Sequence, residues 1–197
     1  MKLATEPTAP AGTRGRRFGE NAALGMALFV FTEAMLFAGF ISAFVIVRSG
    51  ASPGEWPPPG QPRLPLERTA FNTVALLLSG VALYVAGRRF RSAGPQAAGP
   101  WMGAALALGL AFVGLQGVEW VGLLRQGLTL TSSQLGSFFY VVVGTHALHA
   151  LAAIVALALA WRALLAGRLT PGRMTAVSLF WYFVVLVWPV IYWKVYP

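Results

Sequence analysis

Long apolar runs separated by short polar segments dominate this chain. Five runs are long enough to cross a bilayer core, for which a helix needs about 20 apolar residues. They are Leu24–Val47, Thr69–Gly87, Trp101–Leu124, Gly136–Trp161 and Thr175–Tyr192. Because backbone amides cannot stay unpaired in hydrocarbon, and these runs are much longer than barrel strands, we expect helices. The pattern predicts an all-α integral membrane bundle of five transmembrane helices.

The segments outside these runs divide the chain. Residues 1–21 are predicted to form a cytoplasmic amino-terminal arm, and residues 22–197 a single membrane domain. The connection Ser49–Glu67 is too rich in proline for a helix, so we expect an extended, partly polyproline-like external loop. Trp56 within it is expected at the membrane interface. Small residues in the runs would let helices approach closely; they are Gly25, Ala38, Gly39, Gly103 and Gly109.

The basic residues predict how the bundle is oriented, because Lys and Arg are enriched in cytoplasmic loops. Ten lie on the side that holds the amino terminus: Lys2, Arg14, Arg16, Arg17, Arg88, Arg89, Arg91, Arg162, Arg168 and Arg173. The other side has five: Arg48, Arg63, Arg68, Arg125 and Lys194. We therefore expect a cytoplasmic amino terminus and an external carboxyl terminus.

Composition agrees with a lipid environment. The chain is 57% hydrophobic and 11% charged, whereas soluble domains carry about 25% charged residues. A net charge of +9 would also fit a nucleic-acid-binding protein, but here the basic residues lie in short segments between apolar runs. No nucleic-acid partner is therefore predicted. The absence of cysteine excludes disulfides, thiolate metal sites and a cysteine nucleophile. A cleaved signal peptide does not fit, because the first run is too long and contains Glu33.

Glu33 lies near the middle of the first run, where an acidic side chain costs about 2.5–3.5 kcal/mol on insertion scales. Two interpretations remain open from spacing alone. Glu33 either participates in proton handling, or is a neutral carboxyl group that bonds two helices together.

Two polar pairs lie in later runs. Gln116 and Glu119 are three residues apart on the third run, as are His146 and His149 on the fourth, so each pair shares a helix face. We expect the two faces to meet in a proton-handling or purely structural polar network. A second Glu-x-x-His element, needed for a di-iron site, is missing. Two histidines on one helix face also cannot bind a haem iron from opposite sides, so no metal site is predicted.

Short motifs follow one another along the chain. They are Phe31–Phe40 in the first run, Trp56–Gly60 in the loop after it, Asn72-Thr73 and Leu77–Gly80 in the second run, Leu115–Trp120 in the third and Gly144–His149 in the fourth. In this order they resemble subunit III of the haem–copper respiratory oxidases. The first two are similar to that family's first shared helix and to the external Trp-Pro-Pro loop after it, and the motifs of the second run match its next helix. Leu115–Trp120 resembles its Leu-Gln-x-x-Glu-Tyr, and Gly144–His149 resembles its Gly-x-His-Gly-x-His.

The resemblance implies a non-redox subunit of a bacterial terminal oxidase that reduces oxygen and pumps protons. Haem and copper would reside in partner subunits I and II. This chain would have no catalytic centre or cofactor of its own, and it could bind phospholipid. It would be a multi-pass protein of the cytoplasmic (inner) membrane that stabilises subunit I and supports proton uptake. Glu33 matches the family's membrane glutamate, and Glu119, His146 and His149 its polar cluster. Structural motif positions are Trp56, Pro57, Pro58, Asn72, Ser79, Gly80, Trp181 and Trp188.

The chain departs from the family pattern in two respects. It corresponds to the last five of the seven helices in longer members. Tyr182 and Val185 also stand where the family usually has His and Asp. Two other functions remain open: an accessory subunit of nitric oxide reductase, which resembles subunit III, and a small transporter or channel that uses Glu33 and Glu119 as an ion path. A rhomboid-like serine protease is unsupported, because no Gly-x-Ser-x motif is paired with a histidine on a second helix.

Overall fold

A computed structural model describes the chain over residues 12–52 and 56–196, and in these ranges it contains five helices and no strand. The helices are α1 (Gly12–Ser49), α2 (Leu66–Ser92), α3 (Pro95–Arg125), α4 (Gln134–Leu165) and α5 (Pro171–Val195). Each contains a segment long and apolar enough to cross a membrane. The predicted bundle of five transmembrane helices is confirmed.

Local sequence signals explain where the helices begin. The Ser133 side chain accepts a hydrogen bond from the Gly136 amide (3.0 Å) and caps α4. Thr170 caps α5 in the same way, and Pro171 follows as its first residue, a position where proline has no amide to lose. Before α3, Gly94 has a φ of +86°, a backbone angle that residues with a Cβ atom rarely adopt.

The proline-rich connection between α1 and α2 is non-helical in its described residues, 50–52 and 56–65, as predicted. The helices themselves extend beyond the predicted spans. In particular, α1 begins at Gly12, within the predicted arm, and residues 1–11 of that arm lie outside the described ranges.

The bundle is built around α5. This helix packs on α1, α2 and α4, and α2 also packs against α3. Trp181 and Trp188 of α5 are buried at the centre. By contrast, α1 is the least covered helix. It is fixed by inward-facing aromatic side chains, of which Phe37 and Phe44 are fully buried. The polar residues singled out by the sequence lie where these helices meet.

Candidate functional site

Glu119 lies between α2 and α3 and is surrounded by hydrogen-bond donors. Its Oε2 is 2.8 Å from the Thr69 hydroxyl and accepts from Gln116 Nε2 at 3.0 Å. Its Oε1 accepts from Asn72 Nδ2 at 3.1 Å. Both carboxyl oxygens therefore have partners, as a buried acidic group requires. The predicted sharing of one helix face by Gln116 and Glu119 is confirmed by their hydrogen bond.

The carboxyl-terminal end of α5 joins this cluster through Tyr196. Gln116 Nε2 also donates to the Tyr196 hydroxyl oxygen, at 3.0 Å. Burial raises the pKa of the Tyr196 phenol, so the hydroxyl stays protonated at neutral pH. The Glu119 cluster, defined as Thr69, Asn72, Gln116, Glu119 and Tyr196, thus ties α2, α3 and the end of α5 together.

The second polar contact joins α1 to α4. His149 Nε2 lies 3.0 Å from Glu33 Oε2, and His149 Nδ1 lies 2.8 Å from the Thr145 carbonyl oxygen. The pair is only partly enclosed by this chain, because the side chains of His149 and Glu33 keep 13% and 18% of their surface exposed.

The hydrogen bonds of His149 define how many protons this pair holds. The Thr145 carbonyl can only accept, so His149 Nδ1 carries a proton. The contact between Nε2 and Glu33 Oε2 needs one further proton. That proton is either on Nε2, giving an imidazolium and a carboxylate, or on Oε2, giving a neutral imidazole and a carboxylic acid. Both forms have no net charge, which makes the pair compatible with lipid.

His146 occupies a different environment from His149. It is 2% exposed, and its ring is stacked at a tilt on Trp188 with a centroid distance of 4.9 Å. The edges of Phe37 and Phe112 contact it from two other helices. Its Nε2 atom has no hydrogen-bond partner among the described residues.

Gln116 and His146 line the same cavity between α3 and α4, but no hydrogen bond joins the polar pairs of the two helices directly. Glu119 forms hydrogen bonds with Thr69 and Asn72 of α2, and His149 contacts Glu33 of α1. Residues three apart differ by about 60° around a helix, which is enough to send His146 and His149 towards different neighbours. Over the described ranges, no three histidine or acidic side chains come together as a possible metal site.

The motif residues have structural contacts. Trp181 Nε1 donates to Ser79 Oγ at 3.2 Å, and Trp188 Nε1 donates to Thr73 Oγ1 at 2.8 Å, so these two indoles of α5 bond to α2. Trp56 packs edge-on against Phe44 with a centroid distance of 5.7 Å. Pro57 and Pro58 follow it, and the Pro58 carbonyl accepts from the Gln61 amide.

Val185 and Tyr182 stand where the resemblance described above implies Asp and His. Val185 is buried and packs on Gly80, at which an added Cβ would lie 3.1 Å from Val185 Cγ1. Tyr182 is half-buried. An apolar contact between α5 and α2 therefore stands where the resemblance implies an acidic group.

Sequence reasoning missed Thr69, Thr73 and Tyr196 as members of this polar interior. The signal for the threonines was present, because Thr69, Asn72 and Thr73 recur at helical spacing on one face of α2. Tyr196 gave no such signal, since it lies next to the last residue of the sequence and outside any periodic pattern.

The chain is similar to known proteins over most of its length. The sequence profile of the family "Cytochrome c oxidase subunit III" matches residues 5–197. Cytochrome c oxidase subunit 3 of Bacillus subtilis is 32% identical over 187 residues, covering 90% of this chain and 86% of the relative. The Synechocystis sp. protein of the same name is 31% identical, covering 87% and 73%. Cytochrome bo(3) ubiquinol oxidase subunit 3 of Pseudomonas putida is 27% identical, covering 90% and 86%. The chain belongs to the cytochrome c oxidase subunit III family.

Proposed function

We propose that this chain is the non-redox subunit III of a bacterial haem–copper terminal oxidase in the cytoplasmic membrane. Haem and copper would be held by partner subunits I and II. The family match over residues 5–197 and five helices suited to a bilayer support this proposal. The relatives include both a cytochrome c oxidase and a ubiquinol oxidase subunit, so the proposal specifies the class of oxidase and not its electron donor.

The observation that carries a proton-handling role is the Glu33–His149 pair. His149 Nε2 and Glu33 Oε2 lie 3.0 Å apart, within the apolar part of the bundle. The two forms of the pair differ only in which of these atoms holds the proton between them, so that proton can pass from one atom to the other with a small rearrangement. Because both side chains remain partly exposed, a neighbouring subunit or water can reach them. We infer that the pair supports proton uptake by subunit I.

The Glu119 cluster supports the second part of the proposed role, which is to stabilise subunit I during turnover. Its hydrogen bonds connect α2, α3 and the end of α5, and the two indole bonds connect α5 to α2 again. Because both carboxyl oxygens of Glu119 are hydrogen-bonded, these contacts hold the three helices in one arrangement. A rigid bundle provides a fixed surface on which subunit I can pack.

Glu33→Gln tests the role of the pair without breaking the contact. The glutamine amide can still donate to His149 Nε2, but it has no titratable proton. We expect the oxidase complex to assemble with all its subunits and to start at nearly the parental rate. It should then lose oxygen-reduction activity after several-fold fewer turnovers, measured with an oxygen electrode.

The matched control is Glu67→Gln, which neutralises an exposed glutamate at the start of α2. It should last as long as the parent complex. Equal durability of the Glu33→Gln and parental complexes would remove Glu33 from the mechanism. If an oxidase purified without this chain were also as durable as the complete complex, the stabilising role itself would be wrong.

A further inference from the structure

An open groove lies between α2 and α3, at the end of the bundle where α2 begins and α3 ends. Its volume is about 490 Å³. Arg63 and Arg68 line it at this end, and the exposed apolar side chains of Phe71, Leu115 and Val118 line it further along the two helices. We refer to it as the α2–α3 groove. It combines a basic rim with an apolar wall.

Aromatic residues place the rim of the groove at the membrane boundary. The Tyr192 hydroxyl donates to the Leu66 carbonyl oxygen, at the start of α2, at 3.1 Å, and the adjacent Trp193 is 71% exposed. Tyrosine and tryptophan are enriched at headgroup level. Leu115 precedes the last residue of α3 by ten positions, so it lies about 15 Å deeper, which is about half of a bilayer core. The groove therefore extends from headgroup level through one leaflet.

The two arginines are available to a ligand. Both are exposed, and among the described residues neither guanidinium group forms an ion pair or donates a hydrogen bond. Two acidic residues also line the groove. Glu119 interacts electrostatically with Arg68, but both of its carboxyl oxygens are hydrogen-bonded within the bundle. Glu67 is exposed at the rim. The guanidinium donors thus remain without a partner on this chain.

We propose that the α2–α3 groove binds one phospholipid of the adjacent leaflet. Its phosphate accepts hydrogen bonds from Arg63 and Arg68, because a guanidinium group matches phosphate oxygens in both geometry and charge. One of its acyl chains lies along Phe71, Leu115 and Val118. A free phosphate ion would leave this apolar wall uncovered, so a lipid fits the groove as a whole.

The groove and its arginines belong to this chain alone, so the inference goes beyond the proposed oxidase role and does not rest on it. Failure of the oxidase role would change which proteins purify with the chain. Failure of the present proposal would change only which lipids do.

Native mass spectrometry of the chain, purified together with its partners, tests the proposal. The complex is exchanged into detergent that holds equal amounts of phosphatidylethanolamine and of diglucosyl diacylglycerol with the same acyl chains. Both lipids have no net charge at neutral pH, so a preference reports contact with the phosphate. We expect the parent complex to retain the phospholipid several-fold more than the glycolipid. The double variant Arg63→Gln and Arg68→Gln should lose this preference.

Arg125→Gln is the matched control, because it removes one positive charge at the same end of α3 from an exposed residue that does not line the groove. It should retain phospholipid as the parent does. Equal retention by the double variant and the parent would overturn the proposal, as it would if a partner subunit covered the groove. Displacement of the phospholipid by excess inorganic phosphate would identify a site for free anions and overturn it too.

A variant of the apolar wall tests the position of the acyl chain without changing charge. Val118 is 71% exposed, so Val118→Trp fills the groove without disturbing the core and should lower phospholipid retention several-fold. Leu148→Trp makes a similar change at a residue of α4 that is 66% exposed and does not line the groove, and should leave retention unchanged. Equal retention by these two variants would show that no acyl chain occupies the groove.

Discussion

Glu33 and Glu119 are acidic side chains in membrane helices, and the structure stabilises them differently. Each carries an insertion cost of about 2.5–3.5 kcal/mol if left alone. Glu119 is compensated by donors from Thr69, Asn72 and Gln116. Within the described ranges, Glu33 has one side-chain partner, His149, whose Nε2 lies 3.0 Å from Glu33 Oε2. The first arrangement is suited to holding helices together, and the second to exchanging a proton.

Glu119 is therefore predicted to matter for stability. Glu119→Leu removes the acceptor of Asn72 Nδ2 and one of the two acceptors of Gln116 Nε2, whereas Thr69 Oγ1 keeps the Pro65 carbonyl oxygen. Each unpaired buried donor costs about 1–3 kcal/mol, so we expect a large fall in melting temperature. Glu119→Gln keeps one acceptor oxygen and should cost clearly less. Thermal unfolding of the detergent-purified chain, followed by circular dichroism, measures both. Equal melting temperatures for the two variants and the parent would show that the cluster does not stabilise the bundle.

At the scale of single residues, the sequence predicted which polar side chains pair within one helix, but it did not predict which side chains pair between helices. The spacing of Gln116 and Glu119 predicted a shared face, and the two side chains are bonded. The partner of Glu33 was not predictable, because it depends on how α1 packs against a helix more than a hundred residues away. The same applies to Tyr196, whose contact with Gln116 spans 80 residues of sequence.

The helices as elements were predictable because hydropathy and length are properties of the chain itself. Their ends were not, since a helix can continue past the apolar core into the polar boundary. Small residues were a partial guide to close packing. An added Cβ at Gly103 or Gly109 would meet the ring of Trp161 or Trp181, but Gly25 and Gly39 have nothing within 4 Å. The last two lie on α1, which this chain leaves mostly uncovered.

Gly109 is predicted to be required for the packing of the Trp181 side chain of α5 against α3. A Cβ there would overlap Trp181 Cη2, so Gly109→Ala must displace a buried indole that bonds to Ser79. Overpacking of this kind costs about 1–3 kcal/mol, and the melting temperature should fall. Gly114→Ala is the matched control on the same helix, with open space around its Cβ. If both substitutions had the same effect, close packing at Gly109 would be refuted.

For the whole molecule, the distribution of basic residues predicts orientation. Arg48 Nη1 lies 3.4 Å from the Lys194 carbonyl oxygen, so two residues assigned to the external side lie at the same end of the bundle. This contact agrees with the grouping of the basic residues, and the assignment of that end to the external side remains a prediction.

The absence of cysteine makes the orientation simple to test. Ser92→Cys and Thr131→Cys place a single thiol at exposed positions, one near the α2–α3 turn and one in the α3–α4 loop. A membrane-impermeant maleimide applied to spheroplasts should label the thiol at position 131 and leave that at position 92 unlabelled. After lysis it should label both. The opposite pattern in intact spheroplasts would reverse the proposed topology.

The central claim is that this chain works as subunit III of a haem–copper oxidase. It is tested most directly by purifying the tagged chain from its native membrane in mild detergent, with mass spectrometry of the partners and a visible spectrum of the complex. We predict co-purification with a haem-containing subunit I and a subunit II, and a haem spectrum that belongs to the complex. Recovery with nitric oxide reductase subunits, or of the chain alone and colourless, would contradict the account.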